Sequence, residues 1–511
     1  MCILANQIGT VISTDEGPSV TGFSFVIDEA NPVRRGQFVT VESHEGVLIA
    51  RVSDIVKSNR YYQRAESVRE YERSGKKMSD LFPVSRWEFL IGEAKPLAVF
   101  SSVLQRPAFP PSPGTPVHVA DDKMLASFIG LDAKKGLHMG NLGNHDVDAR
   151  LNLTKLFQKH LAILSISGGG KSYLTSVLIE ELLERKPEDG QIAAVMIDTH
   201  GEYMGFAEDE KYRNKTTVVS GRDFKIGVPD LSVHLIEELI PEMTSVQKRE
   251  LERVIDEMRE EFKGKVFGLT EVANKIAADE RIKSNTKDVL MANLYKLRNT
   301  GFFGVADNPS MDVLAKPGHL TVIDVSDTTS LQKRQMLVAY LGRKLFQARM
   351  DGRVPPFVLF VEEAHNFAPE GVSKEGALSR NVIEKIAREG RKFHASLCLI
   401  SQRPIQLSTT ALSQCNTHII LRVTNPYDLD HIGKSSEGLT RDVLDIISSL
   451  RVGEALIVGE AVNYPIFVRV RERRSKKSER GVPLEEAAVA YAKGSAQRKS
   501  DAAALMDDGE Q

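Results

Sequence analysis

The chain has 511 residues, of which 41% are apolar and 27% are charged, a composition typical of globular proteins. Its 67 basic and 69 acidic side chains leave a formal net charge of -2, so bulk charge does not indicate a nucleic-acid partner and any such surface must be local. The length is too great for one ordinary core, and at about 150 residues per domain it predicts roughly three domains.

The cysteines and the apolar runs bear on where the protein resides. Cys2, Cys398 and Cys415 have no metal-ligand spacing and do not form an even-numbered disulfide set, which suits a reducing cytosol. No apolar run approaches the ~18 residues needed to span a bilayer, and the N-terminus lacks a basic region followed by an apolar one. We therefore expect a cytoplasmic protein with no membrane segment and no secretory signal.

Residues 1–130 are predicted to form a small β-barrel or sandwich. Short alternating or β-branched runs recur between turns rich in glycine, proline and acids: IGTVIST, GFSFVID, QFVTVES, GVLIARVSDIV, WEFLIGEA and PLAVFSS. A polar, helical insertion, YYQRAESVREYERSGKK, interrupts them. The proline-rich segment QRPAFPPSPGTPV marks either an extended excursion or the end of the barrel.

In residues 131–475, buried strands alternate with helices, which predicts an α/β domain with a parallel sheet. The predicted strands are LAILSI, AAVMID, HLTVIDV, FVLFVE, SLCLIS, HIILRV and EALIVG. Between the second and third strand, residues of about 230–300 form a helical insertion, where Thr244 and Gln247 make a capping box. Its apolar face is predicted to consist of Leu251, Val254, Ile255 and Met258. Residues 476–511 predict a C-terminal helix and tail.

The stretch ILSISGGGKSYLTSVLIEEL joins an apolar strand to a helical pattern through three consecutive glycines. This is typical of a nucleotide-phosphate cradle, in which glycines allow close approach of the backbone and the helix points its positive end at the phosphates. Lys171 is predicted to contact the β- and γ-phosphates, and Ser172 to bind Mg²⁺. The predicted nucleotide-binding residues are Gly168, Gly169, Gly170, Lys171, Ser172 and Tyr173.

The strict pattern G-x-x-x-x-G-K-[ST] fails at its first position, which is Ser165. Glycine mainly eases the turn there, and the three glycines downstream can absorb the strain. The alternative is a bare turn between a strand and a helix.

A second apolar strand, in PFVLFVEEAHNF, ends in two adjacent carboxylates. Hydrolysis of a phosphoanhydride needs one acid to hold Mg²⁺, usually through a water, and another to polarise the attacking water. We assign Glu362 to the metal and Glu363 to the water, since adjacent residues at a strand end point in different directions. The alternative is a pair of solvated acids.

Two further strands end in polar residues. If ASLCLISQRP lies between the cradle strand and the acid strand, Gln402 is predicted to contact the γ-phosphate, although a polar residue after a strand is usually an ordinary loop residue. Asp198, at the end of AAVMID, either caps the next turn or lies with Glu202 on the ligand-binding edge of the sheet.

Basic residues follow two other elements. In IEKIAREGRKF, Arg388 or Arg391 is predicted to act as an arginine finger on a neighbouring subunit, or else to belong to a solvated helix end favoured by the macrodipole. The loop KYRNK contains three basic residues that could contact DNA, with solvated surface as the simpler interpretation: Lys211, Arg213 and Lys215.

Together, HLAILSISGGGKS, IDTHGEY, VEEAHNF, AREGRKF, SQRP and the β-rich N-terminus resemble the HerA family of hexameric DNA translocases, in the HerA–FtsK branch of P-loop motors. The resemblance covers nearly the whole chain in order and spacing. It implies a HAS-type N-terminal barrel, a RecA-like P-loop ATPase domain with a helical insertion, and a homohexameric ring. Such a ring moves double-stranded DNA with ATP and Mg²⁺, beside a NurA-type nuclease in DNA-end resection and double-strand break repair.

The resemblance also bears on single residues. Lys171, Ser172, Glu362, Glu363 and Gln402 take the roles given above. Arg388 becomes the candidate for the finger that acts in trans. Lys159 precedes His160 where the family pattern has arginine, so a phosphate contact between subunits would use a point charge rather than a fork.

Three other classes of protein share parts of this pattern. A small-molecule kinase has a phosphate cradle but needs no barrel, helical insertion or distant paired acids. A nucleotide-gated clamp without hydrolysis would be expected to lack the second acid, and Glu363 is present. The nearest alternative is a motor of the same branch that acts in conjugation, DNA packaging or anti-phage defence with a different partner.

Overall fold

The computed structural model describes residues 7–478 except 14–16, 60, 74, 76, 82–86, 102–103, 232–235, 237–239, 241, 263–265, 374–375 and 437–438, together with 485–486, 488–489 and 491–494. By packing, the chain divides into two compact units, Met1–Lys155 with Gly453–Arg471, and Leu156–Val452 with Glu472–Gln511. The domain limits predicted near residues 130 and 475 stay predictions.

The described strands follow in chain order. They are β1 (Gln7–Ile12), β2 (Phe23–Ile27), β3 (Phe38–Ser43), β4 (Gly46–Asn59), β5 (Glu88–Phe100), β6 (Leu104–Gln105), β7 (Pro116–Val119), β8 (Leu137–Leu142), β9 (Asp148–Leu151), β10 (Leu161–Leu164), β11 (Ala193–Asp198), β12 (Thr216–Ser220), β13 (Ile226–Gly227), β14 (Phe303–Gly304), β15 (Leu320–Asp324), β16 (Phe357–Val361), β17 (Ala395–Ser401), β18 (Thr417–Ile420), β19 (Glu454–Gly459) and β20 (Ile466–Val470).

The described α-helices are numbered in the same way. They are α1 (Ala65–Glu72), α2 (Met78–Leu81), α3 (Asp122–Ile129), α4 (Leu153–Phe157), α5 (Lys171–Glu184), α6 (Gly205–Glu208), α7 (Ser245–Phe262), α8 (Leu269–Ala278), α9 (Ser284–Thr300), α10 (Met311–Leu314), α11 (Leu331–Met350), α12 (Arg380–Glu389), α13 (Thr409–Ser413), α14 (Pro426–Ser435) and α15 (Arg441–Ile447). Short 3₁₀ helices cover Pro187–Asp189, Arg213–Lys215, Val228–Asp230, Ala364–Asn366, Gly390–Phe393 and Pro404–Gln406. Across the helices that the structure describes, none combines the length and the apolar character that crossing a membrane requires.

The first unit contains the predicted barrel. Its antiparallel strands follow the order β2-β1-β7-β3-β4-β5, and pairing of β2 with β5 closes the ring. Alternate side chains along each strand fill the interior, as expected for a small barrel. The fully buried interior residues include Phe25, Val39, Leu48, Val52 and Val117. The fold-class prediction of an N-terminal β-barrel is confirmed.

Two details of the barrel differ from the predicted strands. The runs WEFLIGEA and PLAVFSS form one strand, β5, because Pro96 lies opposite Ala50 at a register shift, where a missing N–H is tolerated. The proline-rich segment is an excursion rather than the end of the barrel, because the chain returns as β7 and pairs with both β1 and β3.

The first unit also contains four strands that pair antiparallel in the order β19-β20-β8-β9. The predicted strand EALIVG is present as β19, and it pairs antiparallel with β20 through Leu456 opposite Phe467. Its continuous apolar character resembles that of a parallel strand, and only the neighbouring strand reveals the hairpin.

The second unit is built on a parallel sheet in the order β12-β15-β11-β16-β17-β10-β18. This confirms the predicted α/β architecture. The strand β12 is absent from the predicted set, because TTVVS is short and lies at the sheet edge. The acid strand β16 and the cradle strand β10 both pair with β17, so β17 lies between them.

The helical insertion leaves and re-enters the second unit at one place, where β13 and β14 pair side by side. Its helices α7, α8 and α9 follow as predicted. The Thr244 amide donates to Gln247 Oε1 at 2.9 Å and the Gln247 amide to Thr244 Oγ1 at 3.4 Å, which confirms the capping box. The predicted apolar face of α7 is buried: Leu251, Val254, Ile255 and Met258.

Residues 472–478 lie along α5. The Glu180 carboxylate of this helix is fully buried and accepts hydrogen bonds from the amides of Arg474 (2.9 Å) and Ser475 (2.7 Å). The Ser475 hydroxyl donates to the same oxygen at 2.7 Å. A buried carboxylate is tolerated only with such partners, so the C-terminal segment is fixed to the cradle helix. Most of the predicted C-terminal helix and tail lies outside the described residues.

Candidate active site

The cradle forms where β10 passes into α5. The predicted strand, glycine loop and helix are all present, and Gly170 caps the helix with a φ of 97°. That left-handed conformation disfavours any residue with a side chain. The first turn of α5 therefore presents its backbone N–H groups and its positive dipole end at the loop, which is the geometry that an anionic phosphate needs.

Ser165 is accommodated by the glycine opposite it. Its side chain is fully buried, and its hydroxyl donates to the carbonyl of Ile166 at 3.1 Å. A Cβ at Gly169 would lie 2.0 Å from Ser165 Oγ, closer than any real contact. The serine hydroxyl thus occupies the space that a side chain at position 169 would take, so Ser165 in this conformation requires glycine at position 169.

Lys171 lies in the cradle with its side chain mostly buried. Its residue is 9% exposed, and Nζ donates to the carbonyl of Ile166 at 3.4 Å, a long and weak bond that leaves two donors unused. Burial lowers the pKa of the Lys171 ammonium, while three nearby carboxylates oppose this. These carboxylates belong to Glu363, Glu202 and Glu362. The structure therefore brings the cradle lysine and the paired acids together.

Glu362 is the acid of the pair whose carboxylate is fixed by hydrogen bonds. It is 3% exposed, and its Oε2 accepts from both the amide and the hydroxyl of Thr199 at 2.8 Å. His200 Nδ1 lies 3.5 Å from the other oxygen. Burial favours the protonated acid, yet the hydrogen bonds from His200 and Thr199 keep the pKa of Glu362 below its ordinary value. Glu362 is therefore an ionised carboxylate in a fixed orientation.

Glu363 is the strained member of the pair. Its backbone has a φ of 49°, a left-handed conformation that is costly for a residue with a side chain. The residue is 5% exposed, and its buried Oε2 makes no hydrogen bond to any described residue. Burial raises the pKa of Glu363, against the attraction of the Lys171 charge. Strain and an unpaired buried oxygen at one residue indicate a group positioned for a ligand rather than for stability.

His365 connects Glu363 to the end of β17. Its Nδ1 lies 3.3 Å from Glu363 Oε2 and 3.1 Å from Ser401 Oγ. Burial lowers the pKa of His365 to about 4, so the imidazole is neutral at physiological pH. Gln402 follows directly after the end of β17 and is half-buried, and β17 lies between the cradle strand and the acid strand. Its contact with the γ-phosphate stays a prediction.

Asp198 caps the loop that follows β11. Its carboxylate accepts from the amides of the next loop residues, including Gly201 at 2.7 Å and Tyr203 at 2.9 Å. Burial and the Glu362 charge raise its pKa despite these donors. Of the two interpretations, the structure shows the cap, which in turn positions Thr199 against Glu362. Glu202 is exposed on the same loop.

No role was predicted for Thr199, His200 or His365. All three lie in stretches that carry the family resemblance, IDTHGEY and VEEAHNF, so a signal was present. Thr199 and His200 contact Glu362 from a segment far away in the chain, which periodicity or spacing cannot reveal. His365 contacts Glu363, two residues before it, at a place where the backbone is left-handed.

The basic candidates differ in their surroundings. The Arg388 side chain is 51% exposed, and its Nη1 lies 3.5 Å from Glu384 Oε2 of the same helix. Arg391 is exposed in the turn that follows. Lys159 is half-buried, and the His160 ring after it donates to the carbonyl of Ala387, which ties α12 to the cradle strand.

Two other predicted groups contact neighbouring segments. The Tyr173 hydroxyl accepts from the amide of Arg473 at 2.6 Å, so the C-terminal segment passes over the first turn of α5. In the basic loop, Lys211 Nζ lies 2.6 Å from Glu184 Oε1 and Lys215 Nζ donates to the carbonyl of Leu183 at 2.6 Å. These lysines therefore cap the C-terminal end of α5, which favours a structural role.

A glycine loop between a buried strand and a helix, with paired acids two strands away on the same edge of a parallel sheet, defines a P-loop ATPase fold.

Residues 137–345 match the family model described as "Helicase HerA, central domain". The chain is 30% identical to a "Probable DNA double-strand break repair helicase HerA" of Methanocaldococcus jannaschii, over 75% of this chain and 85% of that protein. It is 27% identical to the "DNA double-strand break repair helicase HerA" of Pyrococcus furiosus, over 90% and 92% of the two chains. The chain belongs to the HerA helicase family.

Among solved structures, VirB4 of Thermoanaerobacter pseudethanolicus is similar, with a TM-score of 0.53 and 15% sequence identity. The match covers 67% of this chain and 98% of that chain. At this identity the likeness shows the fold alone.

We predict that Glu363→Gln stabilises the protein at neutral pH. The pKa of Glu363 is raised by folding, so the folded state loses stability as pH rises above the unfolded value of about 4.3, and an uncharged amide avoids this loss. The gain should be near zero at low pH, grow as pH rises from the unfolded pKa through the raised folded pKa, and level off at about 1.4 kcal/mol for each pH unit that separates the two pKa values. Thermal unfolding midpoints between pH 5 and 8 measure it.

The exposed Glu188→Gln is the matched control for this experiment and should show no pH-dependent gain. A wild-type protein as stable as Glu363→Gln at pH 8 would contradict the assignment of Glu363 as a strained, unpaired carboxylate.

Proposed function

We propose that this protein is an ATP-driven double-stranded DNA translocase or helicase. The observation that carries the proposal is Glu363, a buried carboxylate with an unpaired oxygen and a left-handed backbone beside the cradle lysine. A strained acid of this kind gains nothing for stability and suits activation of water next to a phosphate. Membership in the HerA helicase family supports DNA as the polymer on which the motor acts.

ATP and Mg²⁺ fit the residues present. Lys171 has unused donors for the β- and γ-phosphates, and Ser172 begins the helix whose positive end faces the loop. Glu362 keeps one oxygen that is not bonded to Thr199, which would accept from a metal-bound water. When bound, Mg²⁺ neutralises phosphate charge. Ser172 and Glu362 are the residues that would hold it.

Within this site each side chain has a proposed task. Glu363 orients the attacking water and accepts its proton, and Lys171 stabilises negative charge on the phosphates. His365 positions Glu363 by contact with the same carboxylate oxygen and with Ser401. Gln402, beside Ser401, reports whether a γ-phosphate is present, because β17 runs between the cradle and the acid strand.

The ring is part of the proposal. The half-exposed Arg388 guanidinium is held by a single ion pair at the end of α12, so it is free to reach a phosphate on another copy of the chain. We infer a homohexamer in which each nucleotide-binding site is completed by an arginine of the neighbouring subunit. Arg391 and Lys159 are the other basic candidates for this contact.

The biological setting depends on the partner that the motor binds. The relatives named as double-strand break repair helicases favour DNA-end resection in the cytoplasm, with a NurA-type nuclease bound to the barrel. A motor of the same branch for conjugation, DNA packaging or anti-phage defence would carry the same ATPase site, and only its partner would differ.

Hydrolysis is the first test. Lys171→Ala should lower ATP turnover by roughly 100-fold or more, because the positive charge at the phosphates is removed. Glu363→Gln should keep nucleotide binding and lose turnover to a similar extent, since an amide cannot accept the water's proton. Steady-state ATPase rates with and without duplex DNA, together with nucleotide binding, measure both effects.

Lys186→Ala, on the exposed residue just beyond the same helix, is the control and should hydrolyse ATP normally. If Glu363→Gln turns over ATP at the wild-type rate and Glu362→Gln does not, the roles of the two acids are reversed.

Rings assembled from two variants test whether Arg388 acts on the nucleotide of the neighbouring subunit. Lys171→Ala and Arg388→Ala proteins should each be inactive alone, while a mixture that exchanges subunits should regain part of the activity at interfaces that pair an intact cradle with an intact arginine. Lys385→Ala, on an exposed position of the same helix, should be active alone. Absence of recovery, with exchange verified by mass spectrometry, would place Arg388 in cis or in a structural role.

Substitutions on the surface of the barrel test whether a nuclease binds there. The exposed apolar side chains of the first unit include Trp87 and Phe89 at the start of β5, and Leu104 and Phe109 in and after β6, which we take as two pairs by their place in the chain. Replacing both members of one pair by serine should weaken binding of a NurA-type nuclease at least tenfold, because buried aromatic side chains dominate such interfaces. Surface plasmon resonance compares each pair with Tyr427→Ser in the second unit, a substitution of an aromatic residue that is 75% exposed. Unchanged binding for both pairs would remove the barrel as the docking site.

A further inference from the structure

A cavity of about 340 Å³ lies in the second unit, away from the cradle. Its walls come from the loops after β12 and β15, the first turn of α11 and the end of the helical insertion after α9. The lining residues are Gly221, Arg222, Lys225, Thr300, Gly301, Phe302, Asp327, Thr328, Thr329, Ser330 and Lys333.

The position separates this cavity from the ATPase site. The sheet order places β11, β16 and β17 between β15 and the cradle strand β10. At about 4.8 Å between neighbouring strands, β15 and β10 are roughly 20 Å apart. Both sites open at the carboxyl ends of parallel strands, where ligands of α/β sheets bind, yet a single nucleotide in the cradle does not reach the cavity.

The lining is cationic, with three basic side chains from two segments, Arg222 and Lys225 in the loop after β12 and Lys333 in α11, and one carboxylate. Lys225 Nζ donates to the carbonyls of Gly301 (2.6 Å) and Arg222 (3.0 Å), and so retains one donor. Lys333 Nζ has only a weak bond of 3.4 Å, to the carbonyl of Asn299. The Arg222 guanidinium lies 4.0 Å from the Asp327 carboxylate, at the limit of an ion pair. Positive charge and unused N–H groups therefore remain.

The groups that line the cavity favour binding of an anion over binding of a nucleobase. Its other polar groups are the hydroxyls and amides of Thr328, Thr329 and Ser330, at the positive end of the 20-residue helix α11. The aromatic ring that contributes to the wall, Phe302, is 4% exposed and packs edge-on against Phe224, so it offers no face on which a base could stack.

We propose that this cavity is a second anion site, which binds a phosphate group through Arg222, Lys225 and Lys333. The phosphate has two sources that share this chemistry, a phosphodiester of the DNA backbone and a free phosphate or polyphosphate. The DNA source rests on the proposed function, whereas the free-phosphate source does not.

The test uses the full chain with Arg222→Gln and Lys333→Gln combined. Lys225 is left intact because its ammonium holds the end of the insertion through Gly301. The matched control is Lys316→Gln, an exposed lysine before β15 at the opposite end of the same strand. Arg222→Gln alone is a second variant that cannot unfold the protein, since the side chain is 76% exposed.

In the first arm, duplex DNA binding is measured by fluorescence anisotropy over a salt series. If the cavity holds a backbone phosphate, the double variant binds DNA several-fold more weakly, and the slope of log K against log salt becomes shallower by about 0.9 for each phosphate that the protein no longer neutralises. A wild-type protein that binds no duplex would overturn the DNA translocase proposal and leave the second arm as the test of the cavity.

In the second arm, pyrophosphate binding is measured by calorimetry in the Lys171→Ala background, which weakens the cradle. If the cavity holds free phosphate, adding Arg222→Gln and Lys333→Gln raises the dissociation constant about tenfold, and Lys316→Gln leaves it unchanged. A change in either arm identifies the source of the phosphate. DNA and pyrophosphate binding equal to those of the Lys316→Gln control in both arms would overturn the proposal.

Discussion

In the second unit, Leu164 of β10 lies opposite Ser401 of β17, and Leu399 of β17 lies opposite Val361 of β16. Every feature of the candidate site depends on this parallel register. Because the three strands run in the same direction, the glycine loop, Gln402 and the paired acids leave the sheet at one edge. A slip of one residue would turn every side chain of the slipped strand to the other face of the sheet and separate the acids from the cradle.

The two acids show how one short segment serves both stability and chemistry. Glu362 is satisfied by Thr199, and the loop that presents Thr199 is itself fixed by the Asp198 cap. Glu363 has the opposite character, with a left-handed backbone and a buried oxygen that makes no hydrogen bond to a described residue, although His365 Nδ1 lies 3.3 Å away. Hydrogen bonds that secure the first residue therefore offset the strain of the second, as is common where a fold positions a reactive group.

The cradle helix α5 is anchored along its whole length. Its N-terminal end faces the glycine loop, Tyr173 and Glu180 hold the C-terminal segment, and lysines of the loop before β12 cap its last turn. This explains why α5 is buried on nearly all sides rather than on a single apolar face. Substitutions in residues 472–478 are thus coupled to the cradle through contacts that lie far apart in the sequence.

The sequence by itself determined the parallel α/β sheet, the barrel, the helical insertion and the position of the glycine loop, because these follow from local periodicity, capping and turn residues. The capping box at Thr244 and the buried face of α7 were predicted in detail for the same reason. Only the tertiary structure decided that β19 joins an antiparallel hairpin, that β17 separates cradle from acids, and that Thr199 and His365 contact the two glutamates. It also decided that Ser165 and Gly169 share one space and that three basic residues converge on a cavity. The order of the strands, the Thr199 contact and the cavity depend on which distant segments become neighbours, and a single sequence encodes that only through the energy of the completed fold. The β19 hairpin and the contacts of Ser165 and His365 join nearby residues, and they depend on the path of the backbone between them.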